Sequence, residues 1–365
     1  MAIIKIASFN VENLFQRPKV FNFSDHKQGD QVLKDIARLS SLLRQKVYDA
    51  DTKKEILKLN KKLKDYMFIR EDRAKLFKKQ GWTIKGVAAN GAGEWDGSIE
   101  LKKAKYSETG RQNTAKVLKK VNADIACVIE ADNRIALRAF DAHLLGYKYD
   151  YEMLIDGNDN RGIDVGIMSQ YVFGSIKTHI YDRANNKRVF SRDCLEIEVL
   201  LPNGRSIFFL VNHFKSKGYD YDGTSAEKRK RQAKRVSEIL AGYDLQNDYV
   251  VVAGDLNDTP DSDALEPLTS IPLLHDVLEL KHGANMGKRW TYHYKSFEQI
   301  DFVMVSDALK NAFVDAGVER RGIFKLKALT EASPKVDNEQ SFSSVNHKSN
   351  QASDHGAVWA EFDII

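Results

Sequence analysis

A set of short apolar runs, each with an acid, an amide or a histidine at its end, limits the possible folds of this sequence more than any other feature. The runs are rich in β-branched and aromatic residues and too short for helices, so each predicts a β-strand. Polar groups at the ends of several strands predict a site where those ends converge. The polar residues are Asn10 and Glu12 in FNVE, Glu130 in CVIE, His213 in VNHF, Asp255 and Asn257 in VAGDLND, Asp301 in QIDFVMVS, and Asp354 and His355 in SDHGAV.

The remaining sequence predicts further strands and only a few helices. Strand-like runs follow one another with few helices between them, so we expect mainly antiparallel pairing. Many strands with well-separated helices are typical of an α+β sandwich. The predicted strands cover 3–9, 125–130, 147–155, 163–168, 172–180, 194–201, 206–213, 249–254, 299–305 and 357–363, and the predicted helices cover 111–121, 133–145 and 225–242.

A segment in the first third of the chain has a helical hydrophobic period. Apolar residues recur at spacings of three and four over 32–47 and again over 56–66, which predicts a hairpin of two amphipathic helices. Thr52 and Glu55 have the spacing of a capping box, which places the start of the second helix at about Thr52. The glycine-rich residues 86–100 match neither a P-loop nor a dinucleotide-binding motif and predict a mobile loop.

The positive charge of the protein is concentrated in the same segment. The 365-residue chain has a net charge of +5, whereas residues 31–80 hold 15 Lys and Arg against 7 Asp and Glu. This local surplus of eight positive charges leaves about −3 for the rest of the chain. A basic segment on a mildly acidic body predicts contact with a polyanion, although a solvated helical face would have the same composition.

The sequence has no features that indicate a membrane-spanning or a secreted protein. The longest apolar runs fall far short of the ~18 residues needed to cross a bilayer. The first ten residues, MAIIKIASFN, lack the apolar stretch of a secretory signal, so we expect a cytoplasmic protein that does not bind membranes. Cys127 and Cys194 both lie in apolar strand-like runs, where a buried, reduced thiol is the expected state.

Oxygen-donor residues at the strand ends indicate a hard divalent cation. Such ions prefer carboxylate and amide oxygens as ligands. Pairs of cysteines or histidines with the spacing of a zinc site do not occur in the sequence, which argues against zinc. The candidate ligands are Glu12, Glu130, Asp255, Asn257 and Asp354.

In their order along the chain these blocks resemble the endonuclease/exonuclease/phosphatase superfamily, which shares the deoxyribonuclease I fold. Residues 1–16 and 107–365 carry the resemblance, including GDLN and the later SDH. It implies a single α+β domain over 1–365, built as a four-layered αββα sandwich of two mainly antiparallel sheets flanked by helices. Residues 17–105 match nothing in the family core. We therefore expect them to be a helical, basic insertion that stands beside the site.

The resemblance implies a metal-binding role for three acids. Glu130 would be the principal ligand of Mg2+ or Mn2+, with Glu12 beside it and Asp354 completing the set. Asn10 would contact a metal-bound water or the phosphate. These roles agree with the oxygen-donor chemistry inferred from the residue types alone.

The same resemblance implies an acid–base apparatus. Asp255 and Asn257 would position and deprotonate the attacking water and hold a phosphate oxygen. His355 would contact the phosphate, with Asp301 fixing its tautomer. His213 would be the general acid for the leaving oxygen, as in the deoxyribonuclease and sphingomyelinase branches.

Further positions are expected to support substrate binding. Arg192 resembles an arginine that binds phosphate, and Asp164 is expected to support His213 from a neighbouring strand. Two tryptophans, Trp82 and Trp95, would pin the insertion to the core or stack on bases. A basic set after His213 is expected to contact a phosphate backbone or to form a solvated face: Lys215, Lys217, Lys228, Arg229, Lys230, Arg231, Lys234 and Arg235.

These expectations combine into a hydrolase that acts on phosphoester bonds. We expect a Mg2+- or Mn2+-dependent phosphodiesterase that hydrolyses nucleic acid, with DNA as substrate and endonuclease activity. A phosphomonoesterase or a lipid phosphodiesterase of the inositol-phosphate or sphingomyelin type remains open, because these enzymes share the chemical core. A non-catalytic nucleic-acid-binding module is the third alternative. The choice between DNA and RNA, the mode of cutting and the oligomeric state are not determined by the sequence.

Overall fold

A computed structural model of the protein describes residues 3–14, 19–21, 26–102, 107–159, 162–217 and 224–364. The expected insertion boundaries, residues 17 and 105, lie outside these ranges. The helices are α1 His26–Leu43, α2 Ala50–Leu63, α3 Glu108–Val121, α4 Arg134–Phe140, α5 Ser225–Leu240, α6 Glu266–Thr269, α7 Val277–His282, α8 Met286–Arg289, α9 Asp307–Lys310 and α10 Leu326–Glu331. The strands are β1 Ile3–Leu14, β2 Met67–Arg73, β3 Phe77–Gln80, β4 Thr83–Val87, β5 Asp96–Leu101, β6 Ile125–Ala131, β7 Tyr151–Leu154, β8 Asp164–Ser169, β9 Phe173–Lys177, β10 Arg183–Ala184, β11 Lys187–Arg188, β12 Cys194–Leu200, β13 Ser206–His213, β14 Tyr249–Asp255, β15 Leu274–Asp276, β16 Tyr292–His293, β17 Phe297–Glu298, β18 Asp301–Ser306, β19 Phe313–Glu319 and β20 Ala357–Asp363.

The chain divides into two compact units. Met1–Phe15 and Tyr106–Ile365 together form the first, here called the sandwich unit, and Gln16–Lys105 forms the second, here called the basic unit. The sandwich unit contains two six-stranded sheets, in the orders β19-β20-β1-β6-β8-β7 and β15-β18-β14-β13-β12-β9. Neighbouring strands are antiparallel except for the pairs β1/β6 and β13/β14. The prediction of two mainly antiparallel sheets is therefore confirmed.

Alternating side chains explain why each sheet is covered on both faces. In β14, Val251 and Ala253 belong to the cluster shared by the two sheets, whereas Val250 and Val252 pack with α5. The same alternation in β1 directs Ile6 to the shared cluster and Phe9 toward α3. Burial on both faces requires apolar residues at successive positions, which is why these strands appear as continuous apolar runs. The layers are thus helix, sheet, sheet and helix, as predicted.

The topology of the sandwich unit brings strand ends together. A parallel pair places the carboxyl ends of both strands at one edge, and an antiparallel neighbour begins at that edge. In the second sheet His213 at the end of β13 lies opposite Asp255 at the end of β14, and Asp255 lies opposite Asp301 at the start of β18. In the first sheet Asn10 lies opposite Ile129, one residue before Glu130.

The basic unit contains strands that its sequence did not predict. Its two helices pack with the sheets β2/β5 and β3/β4 around a separate apolar cluster that includes Leu39, Ile56 and Phe77. The predicted mobile loop over 86–100 is wrong, because β5 pairs with β2 there and Ala89 is buried. Half-exposed strands rich in charge lack the apolar signal of a core strand.

The start of α2 also differs from the capping-box prediction. Asp49 is the N-cap, and its carboxylate accepts a hydrogen bond of 2.7 Å from the Thr52 backbone N–H, so the helix begins two residues before Thr52. Glu55, the other half of the expected box, instead pairs with Arg38 of α1 at 2.9 Å.

Two further expectations can be compared with the structure. Cys127 and Cys194 are buried and unbridged, and burial raises the pKa of both thiols. None of the helices in the described part of the chain is long and apolar enough to cross a membrane.

Candidate active site

Asp255 lies at the centre of the residues predicted from the sequence. Its Oδ2 accepts a hydrogen bond of 3.0 Å from Asn10 Nδ2, and its Oδ1 accepts one of 2.8 Å from the Asn257 backbone N–H. The same Oδ2 lies 3.7 Å from His213 Nε2 and 4.0 Å from His355 Nε2. One buried carboxylate is therefore oriented by two donors and faces two imidazoles.

The His355 ring is held by a buried acid. Its Nδ1 lies 2.8 Å from Asp301 Oδ2, and the Asp301 side chain is completely buried. Burial alone lowers the pKa of His355, but Asp301, Asp255 and Asp354 together raise it well above its ordinary value. The structure thus places Asp301 beside Nδ1 of His355 and leaves Nε2 on the side of Asp255, while the tautomer-fixing role stays a prediction.

The acids predicted to bind metal lie around this centre. Glu130 Oε1 is 3.7 Å from His213 Nε2, and Asp354 Oδ1 is 3.9 Å from His355 Nε2. Glu12 contacts Asn10 through its backbone N–H, which donates to Asn10 Oδ1 at 3.0 Å. The Glu12 carboxylate accepts a hydrogen bond from the Gln351 amide.

Left-handed backbone conformations and β-bulges orient several of these side chains. Glu12, Glu130 and Asn257 have φ angles of 49°, 68° and 54°, in the left-handed region that residues other than glycine rarely adopt. The ladders around Glu12 and Glu130 shift register at these points, as β-bulges do. Bulges redirect a side chain, and backbone strain of this kind is concentrated at functional sites.

Gly254 of GDLN is required by close packing. Its φ is +136°, and a Cβ there would lie 1.9 Å from the carbonyl oxygen of Asn212 on the adjacent strand. Only a residue without a side chain fits between these strands. The glycine therefore allows β13 and β14 to carry His213 and Asp255 side by side.

The donor set fits a hard divalent cation. Glu12, Glu130 and Asp354 supply carboxylates whose side chains keep 11%, 15% and 34% of their exposure. Such oxygen donors are the ligands that Mg2+ and Mn2+ prefer. Among the described residues, the group whose ligand atoms all lie within 4.8 Å of one another is Asp255, Asp301 and His355. Asp301 and His355 of this group are hydrogen-bonded to each other at 2.8 Å.

Arg192 and Asp164 have structural contacts in addition to their predicted roles. Arg192 is 2% exposed, its Nε pairs with Asp159 at 2.9 Å, and its Nη1 donates to the Phe214 carbonyl oxygen. That oxygen also accepts from Asn257 Nδ2, which connects Arg192 to the site. The buried Asp164 carboxylate accepts a hydrogen bond of 2.7 Å from Gly157, and support of His213 by Asp164 stays a prediction.

The basic residues after His213 are only partly available to a ligand. Arg229 is buried, with its Nε 2.8 Å from Asp258 Oδ2, and Lys217 Nζ lies 3.1 Å from Glu298. Arg235 pairs with Asp182 at 2.7 Å. These three side chains form salt bridges within the sandwich unit, which occupy the groups that were expected to contact the phosphate backbone of a nucleic acid. Among the basic residues of α5, Lys230 and Lys234 are exposed.

Sequence reasoning did not find Tyr292. Its ring lies 4.8 Å from the His355 ring, between centroids. Burial, followed by the nearby carboxylates of Asp354, Asp255 and Glu12, raises the pKa of its hydroxyl. Tyr292 belongs to a two-residue strand in an aromatic segment without periodicity, so the sequence offers no signal for it.

Comparison with known proteins gives a family match. The profile of the Endonuclease/Exonuclease/phosphatase family matches residues 94–355, which is more than half of the chain. No curated protein matches the sequence significantly. The match includes all the strand-end blocks except FNVE.

Solved structures resemble this chain at low sequence identity. An endonuclease/exonuclease/phosphatase family protein from Bacteroides thetaiotaomicron has a TM-score of 0.50 and 14% identity, covering 100% of this chain and 99% of its own. D. rerio TDP2 complexed with single-strand DNA product has a TM-score of 0.49 and 15% identity, covering 70% and 92%. Truncated Caenorhabditis elegans TDP2 has a TM-score of 0.46 and 18% identity, covering 70% and 90%.

The fold, the family match and the gathered acids and histidines agree with one another. The Bacteroides protein, with a TM-score of 0.50, supports the fold assignment alone. Members of the matching family are hydrolases that act on phosphoester bonds. This protein belongs to the endonuclease/exonuclease/phosphatase family.

Proposed function

We propose that this protein is a Mg2+- or Mn2+-dependent phosphodiesterase that hydrolyses nucleic acid, with DNA as its substrate and internal phosphodiester bonds as its target. The observation that carries the proposal is the position of Asp255, which faces the Nε2 atoms of His213 and His355 at 3.7 Å and 4.0 Å. Water activation, phosphate binding and protonation of a leaving oxygen need three such groups on one phosphate.

Asp255 is proposed as the base that takes a proton from water. Burial, followed by the charge of Asp301, raises the pKa of Asp255 to about 7, which allows it to accept a proton near neutral pH. Asn10 Nδ2 and the Asn257 backbone N–H hold the carboxylate in place, so its orientation needs no further rearrangement. His355, fixed by Asp301, would donate from Nε2 to a phosphate oxygen.

His213 is proposed as the acid that protonates the leaving oxygen. Its ring is 2% exposed, and its Nε2 lies 3.7 Å from a carboxylate oxygen of Glu130 and 3.7 Å from one of Asp255. Arg192 would contribute a guanidinium to the phosphate, with its position set by Asp159 and the Phe214 carbonyl. Glu130, Glu12 and Asp354 would hold the metal ion, which when bound neutralises negative charge on the phosphate.

The charge of the basic unit supports a polymeric anion as substrate. Lys54, Lys58 and Lys61 follow one another along one exposed stripe of α2, while Lys53 and Lys62 have local partners in Asn90 and Asp35. Phosphate contacts by surface lysines are the main source of affinity for nucleic acid. We therefore propose that the insertion over 17–105 engages the substrate.

One substrate panel tests the proposal. Purified protein is incubated with supercoiled plasmid, RNA oligonucleotide, inositol phosphates and sphingomyelin, each with Mg2+, Mn2+ or EDTA. We expect plasmid nicking that requires the metal and that is lost in Asp255→Asn but kept in Glu331→Gln, an exposed acid of the same unit. Turnover of only inositol phosphates or sphingomyelin would replace the nuclease assignment by the phosphatase or lipid phosphodiesterase alternative.

A further inference from the structure

Trp82 is presented to solvent at the tip of the β3/β4 hairpin. Its side chain is fully exposed, whereas Trp95 of the same unit is partly buried and donates from its indole nitrogen to the Tyr48 hydroxyl at 2.9 Å. Trp95 packs in the core of the basic unit itself, whereas Trp82 packs on nothing, so the expectation that it pins the insertion to the core is wrong for Trp82. An indole without packing contributes nothing to the stability of its own hairpin.

The hairpin that carries Trp82 is well anchored. Phe77 and Val87 at its base are buried in the core of the basic unit and lie opposite each other. At the tip Gln80 lies opposite Thr83, so Gly81 and Trp82 form a two-residue turn, with Gly81 at a φ of +56°. The indole is thus held away from the core by a defined turn.

The charged residues of the hairpin that carries Trp82 are all positive. Residues 75–87 contain four lysines and no acid, and all four lysines are exposed. Lys79 pairs with Glu71, whereas no carboxylate of the described residues pairs with Lys75, Lys78 or Lys85. An exposed aromatic ring among unneutralised cations matches a ligand with a flat π-face and repeated negative charge.

Single-stranded nucleic acid fits this surface better than a lipid bilayer or a duplex. Trp82 is the one exposed apolar side chain at the tip, between the polar Gln80 and Thr83, which is too little apolar area for membrane insertion. In a duplex the base faces are covered by their neighbours, so an indole finds them only where bases are unpaired.

We propose that the β3/β4 hairpin is a binding site for single-stranded nucleic acid, in which Trp82 stacks on an unpaired base and Lys78 and Lys85 contact the adjacent phosphates. This inference rests on the proposed function, because it extends the nucleic-acid substrate to a second contact on the basic unit. If the hairpin binds in this way, the enzyme acts on substrates that contain unpaired nucleotides.

The test measures binding of the intact protein to labelled oligo-dT and to a blunt duplex by fluorescence anisotropy, in EDTA to prevent cleavage. We expect Trp82→Ala to weaken oligo-dT binding by about fivefold to a hundredfold, the range for losing one base–aromatic stack, and to leave duplex binding unchanged. Trp82→Phe should keep most of the affinity. Lys78→Gln and Lys85→Gln should each reduce the salt slope for oligo-dT by about 0.7.

Matched controls separate the possible failures. Tyr147→Ala removes an exposed aromatic residue from the sandwich unit and should not change binding. Unchanged oligo-dT affinity in Trp82→Ala, with wild-type protein that binds and cuts nucleic acid, would overturn this inference alone. Wild-type protein that hydrolyses only small phosphoesters and binds no oligonucleotide would overturn the proposed function as well. Loss of anionic-vesicle binding in Trp82→Ala, with oligo-dT affinity intact, would assign the hairpin to lipid.

Discussion

At the scale of single residues, substitutions of Glu130 and His355 should have similar effects on turnover but different effects on the free energy of unfolding. Glu130→Gln and His355→Ala should each lower turnover by at least about a hundredfold, as expected for an essential charge or acid–base group. His355→Ala should also lower the free energy of unfolding by about 3–5 kcal/mol, because it leaves Asp301 buried without its partner. Steady-state kinetics and urea denaturation measure the two effects. Full turnover in either folded variant would contradict the site.

The proposed role of His213 as general acid can be tested by varying the leaving group of the substrate. If it protonates the leaving oxygen, His213→Ala should slow hydrolysis of a diester with an alkoxide leaving group far more than that of a p-nitrophenyl diester. p-Nitrophenolate departs without a proton, so the acid is dispensable there. Comparing kcat for both substrates is sufficient, and equal losses would remove His213 from this role.

The left-handed backbone at Glu130 predicts an unusual order of stabilities. In an ordinary strand glycine is less stable than alanine, but at a φ of 68° the Cβ of alanine is strained. Glu130→Gly should therefore be more stable than Glu130→Ala by about 1–2 kcal/mol. Thermal or urea unfolding of the two variants measures the difference, and the ordinary order would show that the bulge relaxes.

At the scale of elements, His179 connects the loop after β9 to β12. Its Nδ1 lies 2.9 Å from Asp182 and its Nε2 lies 3.0 Å from Glu196 of β12. Burial lowers the pKa of His179, but the two carboxylates outweigh burial and raise it. A raised imidazole pKa stabilises the fold fully below the unfolded value, and this contribution is lost as pH rises through the folded value.

The free energy of unfolding should therefore fall more steeply above pH ~6.5 in the wild-type protein than in His179→Gln. Urea denaturation across pH 6 to 9 measures both profiles. Parallel profiles would show that the imidazole stays neutral between its two acids.

Strands were predictable from the sequence where both of their faces are buried. β6 and β14 are buried on both faces, so apolar residues occupy successive positions and define the strand directly. β19 has one buried residue, Ala316, among half-exposed and exposed positions, and β2 alternates with exposed, mostly charged residues, so neither strand has a comparable apolar run. For the same reason the acids at strand ends were found, whereas Tyr292 was not. The positive φ angles of Glu12 and Glu130 had no signal either, because glycine is absent there.

At the scale of the whole molecule, the acids around the site predict stabilisation by metal. Glu12, Glu130 and Asp354 are the proposed metal ligands, and a divalent cation that binds them only in the folded state stabilises that state. Mg2+ at about 100 times its Kd should add about 2.7 kcal/mol to the free energy of unfolding. Glu130→Gln should abolish this gain while Glu331→Gln keeps it. A thermal midpoint that does not respond to Mg2+, Mn2+ or EDTA would contradict a metal site at these residues.

The strand order of the first sheet has a consequence for synthesis on the ribosome. β1 lies between β6 and β20, and Ile3 lies opposite Asp363. Pairing over such a sequence distance is slow, and β1 gains its second neighbour only once β20 has been translated. Asp354 and His355 emerge immediately before β20. A nascent chain therefore lacks Asp354 and His355 of the candidate site until just before β20, the second neighbour of β1, can form.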